Sequence, residues 1–122
     1  MIGYVTVGTN DLPRAAAFYD ALLAELGAKR TMEFDRGMAW GTSMTAPGFG
    51  VLKPFDGQPA ARGNGHMTAF VVDSKAKVDA LYAKAMALGA SDEGKPGQRG
   101  EGFYAGYFRD LDGNKLNVFF AG

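Results

Sequence analysis

His66 is the only histidine in the chain. An imidazole titrates near neutral pH and serves as a general base, a metal ligand or a hydrogen-bonding group. At the start of a strand it can equally well be satisfied by nearby backbone. There is no cysteine, which excludes disulfides, thiolate nucleophiles and thiolate metal sites. A second candidate for chemistry is the glycine-rich turn Arg99-Gly100-Glu101-Gly102-Phe103-Tyr104. There Glu101 is a candidate acid or base, Arg99 a candidate partner for an anionic group, and Tyr104 a candidate ligand contact. The competing reading of that stretch is a solvated loop. Arg62-Gly63-Asn64-Gly65 has the glycines of a phosphate cradle but leads into a strand rather than a helix N-terminus, so that reading is set aside. No Gly-x-Ser-x-Gly elbow is present.

These side chains must be positioned by elements, and the elements come as a repeat. Leu26-Gly27-Ala28 recurs as Leu88-Gly89-Ala90, 62 residues on (88 less 26), and the same offset lays Asp11 on Asp73 and Tyr4 on His66. Each half parses alike. Tyr4 to Val7 is a strand, and Asn10 or Asp11 caps a helix whose apolar positions are Leu12, Ala16, Tyr19, Leu22, Leu23 and Leu26. Pro13 falls in its first turn and Gly27 at its stop. In the second half His66 to Val72 is the strand. Ser74 caps a helix with Val78, Leu81, Tyr82, Ala85 and Leu88 as its buried stripe, and Gly89 ends it.

Three further strands are expected per half. In the first they are Lys29 to Phe34, Met38 to Met44 and Gly50 to Phe55. In the second they are Ala90 to Glu93, Phe103 to Arg109 and Lys115 to Phe120, with Asp112-Gly113-Asn114 turning between the last two. The expected organisation is one domain over 1–122, with module one at 1–56, a linker at 57–64 and module two at 65–122. A lone module of this kind leaves one sheet face uncovered, so two should share a core or cavity.

Composition narrows the function class. The chain has 122 residues, 47% of them hydrophobic, which suits a globular protein. Its net charge is +0 with scattered Lys and Arg, so nucleic acid is not the expected partner. No apolar run reaches the length of a membrane span, and the first residues lack the pattern of a secretion signal, so a cytoplasmic location is expected.

The duplicated βαβββ pattern, with Asn10-Asp11-Leu12 and Phe18-Tyr19 opening the first helix, resembles the vicinal-oxygen-chelate superfamily of glyoxalases, extradiol dioxygenases and fosfomycin- and bleomycin-resistance proteins. Gly65-His66-Met67-Thr68-Ala69-Phe70 and Arg109-Asp110-Leu111-Asp112-Gly113-Asn114-Lys115-Leu116 are similar to the family's second-module opening and its final turn. The resemblance spans Ile2 to Phe120. It implies an α+β fold of two tandem βαβββ modules, with curved mixed sheets around a cavity. It also implies one divalent ion (Zn, Ni, Fe or Mn) held by His, a carboxylate, His and Glu from the first and last strands of the modules.

Carried over residue by residue, the first-strand histidine falls on Tyr4, the second-module histidine on His66 and the last-strand glutamate on Asn117. The remaining ligand would lie in Gly50-Val51-Leu52-Lys53, which has no carboxylate. His66 alone is retained as a metal candidate, and Tyr4, His66, Arg99, Tyr104 and Asn117 become candidate ligand contacts. The expectation is a protein of the glyoxalase/bleomycin-resistance type that binds a small organic molecule in a cavity between the modules, with its metal centre lost and no cofactor. The alternatives are a metal-dependent lyase or dioxygenase working through His66, and an interaction subunit with a vestigial pocket. The resemblance further implies a homodimer.

Overall fold

The computed structural model describes residues 1–122. It divides into two compact units, Met1–Arg62 and Gly63–Gly122. The division falls inside the stretch read as the linker. Each unit is one βαβββ module, so the fold is α+β with two mixed four-stranded sheets.

Module one runs β1 (Tyr4–Gly8), α1 (Leu12–Ala24), β2 (Lys29–Phe34), β3 (Gly37–Gly41) and β4 (Gly48–Leu52). The sheet order is β1-β4-β3-β2, with β1 parallel to β4 and the other pairs antiparallel. Asp11 starts the helix by accepting the Arg14 N–H at 3.1 Å, and Pro13 occupies the first turn, where no intrahelical donor is needed. Gly27 follows at φ +74°, the left-handed stop that a side chain resists. Leu12, Ala16, Tyr19, Leu22 and Leu23 are buried. Tyr19 lies 4.9 Å from Phe49 and 5.8 Å from Trp40, ring centre to ring centre, which fixes α1 on one face of the sheet. The opposite face carries Tyr4, Thr6, Ala39, Gly48 and Gly50, because strand side chains alternate.

Module two runs β5 (Thr68–Val71), α2 (Lys75–Ala87), β6 (Ser91–Gln98), β7 (Tyr104–Arg109) and β8 (Lys115–Phe120), in the order β5-β8-β7-β6. Ser74 caps α2 through the Lys77 N–H, and Gly89 ends it at φ +101°. Val78, Leu81 and Ala85 are buried, as are Phe108, Leu116 and Val118 on the sheet. In the β7–β8 turn the buried Asp110 carboxylate accepts the N–H groups of Asp112 and Asn114 and the Asn114 amide.

Several strand limits differ from the sequence reading. β3 stops at Gly41 instead of Met44, because the Ser43 hydroxyl takes the N–H groups of Thr45 and Ala46 into a local turn. β4 is Gly48–Leu52 rather than 50–55. β5 begins at Thr68, not His66, because the His66 N–H is spent on the Gly63 carbonyl in a turn. β6 extends to Gln98, well past Glu93, carried by bulged pairing with β7 despite its poor strand composition.

Candidate functional site

The face of the module-one sheet away from α1 is hollow, and the sequence explains why. Register places Tyr4 beside Gly48, Thr6 beside Gly50, and Ala39 opposite Gly50. Ala39, Gly41, Gly48 and Gly50 therefore floor a patch with almost no side chain. Around it stand Tyr4, Met32, Phe34 and Met44, which are 75%, 56%, 46% and 73% exposed. The partly open pocket measures about 420 Å³, within the roughly 300–1,000 Å³ typical of small-molecule sites. Its polar lining comes from Thr6, Thr31, Ser43 and Arg36.

The glycines of the module-one sheet are not all there for the same reason. A Cβ on Gly37, at the edge of β3, would lie 2.2 Å from Leu52 Cδ2 and 2.3 Å from the Val51 carbonyl, so packing demands glycine. A Cβ on Gly48 would meet nothing nearer than 3.6 Å, so its missing side chain leaves open space that packing does not require.

Arg36, in the β2–β3 turn, is half-buried. Its carbonyl accepts the Lys53 N–H at 2.7 Å, and its guanidinium carbon sits 5.1 Å from the centre of the Phe55 ring. One terminal guanidinium nitrogen, Nη1, is buried with no hydrogen-bond partner. Arg36 lines both this pocket and an adjoining hollow that includes Lys53. Neither Arg36 nor the glycine floor stood out in the sequence, where glycines register as missing signal and Arg36 as an ordinary turn charge. The available signal was the spacing of Ala39, Gly41, Gly48 and Gly50 at alternate positions on adjacent strands.

Of the sequence candidates, Tyr4 lies in this pocket. His66 is exposed in the turn before β5, and Glu101 is exposed in the turn between β6 and β7. Asn117 is 1% exposed and donates its amide to the Gly106 carbonyl at 3.1 Å. It pairs with Tyr107, over whose ring the Arg99 guanidinium lies at 5.6 Å, so Asn117, Tyr107 and Arg99 share a face. Tyr104 is on the other side of that sheet. Its hydroxyl donates to Asp79 of α2 at 2.7 Å, a bond that raises its pKa above the ordinary phenol value. Tyr104 thus braces the helix.

The family model for the glyoxalase/bleomycin resistance protein/dioxygenase superfamily matches residues 1–118. The chain belongs to that superfamily. It is similar to a solved glyoxalase/bleomycin resistance protein from Albidiferax ferrireducens T118, at 38% identity and a TM-score of 0.89 over 98% of this chain and 97% of that one. It shares its fold with a superfamily enzyme from Burkholderia phytofirmans PsJN (21% identity, TM-score 0.74, covering 96% and 95%). The same holds for the lactoylglutathione lyase of Agrobacterium tumefaciens (22% identity, TM-score 0.71, covering 98% and 92%). A search of the curated proteins found no match.

The family's divalent ion needs imidazole and carboxylate donors. Here the corresponding positions hold the Tyr4 phenol, His66 exposed in the turn before β5, and the Asn117 amide, whose neutral oxygen is a poor donor for such an ion. β4 contributes glycines and Leu52 to its hollow face, and no group of three His, Asp or Glu side chains converges. These residues do not fit the family's ion. No helix is long and apolar enough to cross a membrane.

Proposed function

We propose that this superfamily member binds a small, largely apolar organic molecule on the glycine-floored face of module one, without a metal. The observation that carries the reading is the pairing of an empty floor with exposed apolar walls. Tyr4, Met32, Phe34 and Met44 are held in solvent around a floor of three glycines and Ala39. A planar ligand would lie against the Gly48–Gly50 backbone while the two thioethers adapt to its outline, as flexible methionines do. Covering ~200 Å² of apolar surface would contribute about 5 kcal/mol before the cost of association. Thr6, Thr31 and Ser43 supply hydroxyls that orient polar substituents.

Methionine methyl NMR tests this directly. Of the six methionines, Met32, Met38 and Met44 line the pocket. Titration with 2-naphthamide should shift the Met32 and Met44 methyls and leave Met1, Met67 and Met86 in place. Silent Met32 and Met44 signals across a panel of bicyclic aromatic probes would refute the proposal.

A further inference from the structure

We infer that the molecule held in this pocket carries a carboxylate and that Arg36 receives it. The inference rests on the module-one pocket as the binding site and adds the chemical class of its ligand.

Three observations lead there. First, Nη1 of Arg36 is a buried donor with no acceptor. Such a group forfeits its hydration without compensation, so a small rotation of the guanidinium that brings it to an acceptor in the pocket relieves a cost that an exposed arginine does not carry. Second, the guanidinium sits over an aromatic ring. Its carbon lies 5.1 Å from the centre of the Phe55 ring, a cation–π contact that uses none of its N–H groups as hydrogen-bond donors. Third, the surroundings lack a balancing charge. Neither this pocket nor the adjoining hollow is lined by any Asp or Glu. An arginine elsewhere in the chain shows what ordinary pairing looks like: Arg30 holds Asp20 at 2.7 Å and Glu33 at 2.8 Å. Arg36 has no such partner.

A carboxylate fits this better than a phosphate. One guanidinium edge matches the two oxygens of a carboxylate in a forked pair. The rest of the pocket lining offers hydroxyls and no second cation, whereas a dianionic phosphate calls for several charged donors. The ligand class is therefore an aromatic or otherwise apolar carboxylic acid. Its ring system would lie over the glycine floor, with its acid group at the β2–β3 turn.

The test compares 2-naphthoate with 2-naphthamide, a pair matched in shape and different in charge. Affinities are read from the Met32 and Met44 methyl shifts and from calorimetry. The wild-type protein should bind the carboxylate at least tenfold more tightly. Arg36→Met keeps an apolar stem beside Phe55 and should level the two affinities by weakening the carboxylate alone. Arg36→Lys should restore part of the preference. Thermal melts of both variants establish that they fold. Equal wild-type affinities with shifted methyls would overturn the carboxylate inference while leaving the pocket proposal standing. A preference that persists in Arg36→Met would overturn the role of Arg36. If neither compound moves the methyls, the pocket proposal falls and takes this inference with it.

Discussion

Tyr4 of β1 stands beside Gly48 of β4 in parallel register, and a Cβ built on Gly48 would lie 3.6 Å from the Tyr4 Cβ, an ordinary contact distance. Gly48 also has no left-handed backbone to protect. Gly48→Val should therefore fold, with a β-branched side chain suited to a strand. It should nonetheless fill the pocket floor. The expected outcome is at least a tenfold loss of probe affinity with a melting temperature within a few degrees of wild type, measured by methyl NMR and circular dichroism.

Asp20 on α1 accepts the indole N–H of the buried Trp40 at 2.9 Å and pairs with Arg30 through both of its oxygens. Asp20→Ala strands the indole donor and should cost about 1–3 kcal/mol in urea unfolding. The Arg30 hydrogen bond also holds the Asp20 carboxyl below its ordinary pKa. A depressed folded-state value means that this contribution is complete above about pH 4 and fades as pH falls through the folded value. The stability gap between wild type and Asp20→Ala should accordingly narrow in acid, where the pairing with Arg30 is lost.

Burial pushes the Tyr82 hydroxyl up to about 12, helped by its 2.7 Å bond to Asp92. Among five tyrosines, Tyr82 and Tyr104 are both raised, and Tyr82→Phe should remove the ionisation near 12 from an ultraviolet absorbance titration while leaving the Tyr104 phase. A raised folded-state value places the associated stability below about pH 10, with loss as pH climbs through 12.

Asn117 uses its amide as a buried donor to the Gly106 carbonyl. Asn117→Asp replaces that donor with a carboxylate facing an acceptor and should cost about 3 kcal/mol or more at neutral pH. Protonation relieves the clash, so the loss should shrink toward pH 4. Adding Zn or Ni should not recover it, because no group of three His, Asp or Glu side chains is assembled to hold the ion. Chemical unfolding at both pH values, with and without the ions, measures each statement.

Much of the fold was legible because local and global signals agreed. Asp11, Pro13, Ser74, Gly27 and Gly89 sit where capping chemistry puts them, and most of each expected stripe is buried, with Leu26, Tyr82 and Leu88 half-buried at its margins. β6 was only partly legible. Ser91–Gln98 carries no β-branched or aromatic residue and is a strand because β7 supplies its partner. The site was the least legible feature. Its floor consists of glycines, which periodicity counts as silence. Arg36 became informative only once burial showed one of its donors without an acceptor. Tyr104 stood out by its place after a glycine-rich turn, yet alternation along β7 directs it to α2.

The parallel pairing of first and last strands in each module sets the order in which the chain can fold. β1 has no neighbour but β4, whose residues emerge more than 40 positions later (Gly48 against Tyr4), and β5 likewise awaits β8. Such long loops must close before the pairing is rewarded, which slows folding relative to hairpin-only sheets. Every strand of the first sheet nevertheless lies within residues 4–52. During synthesis that sheet can close before the second helix has left the ribosome, so the pocket half need not wait for the rest of the chain.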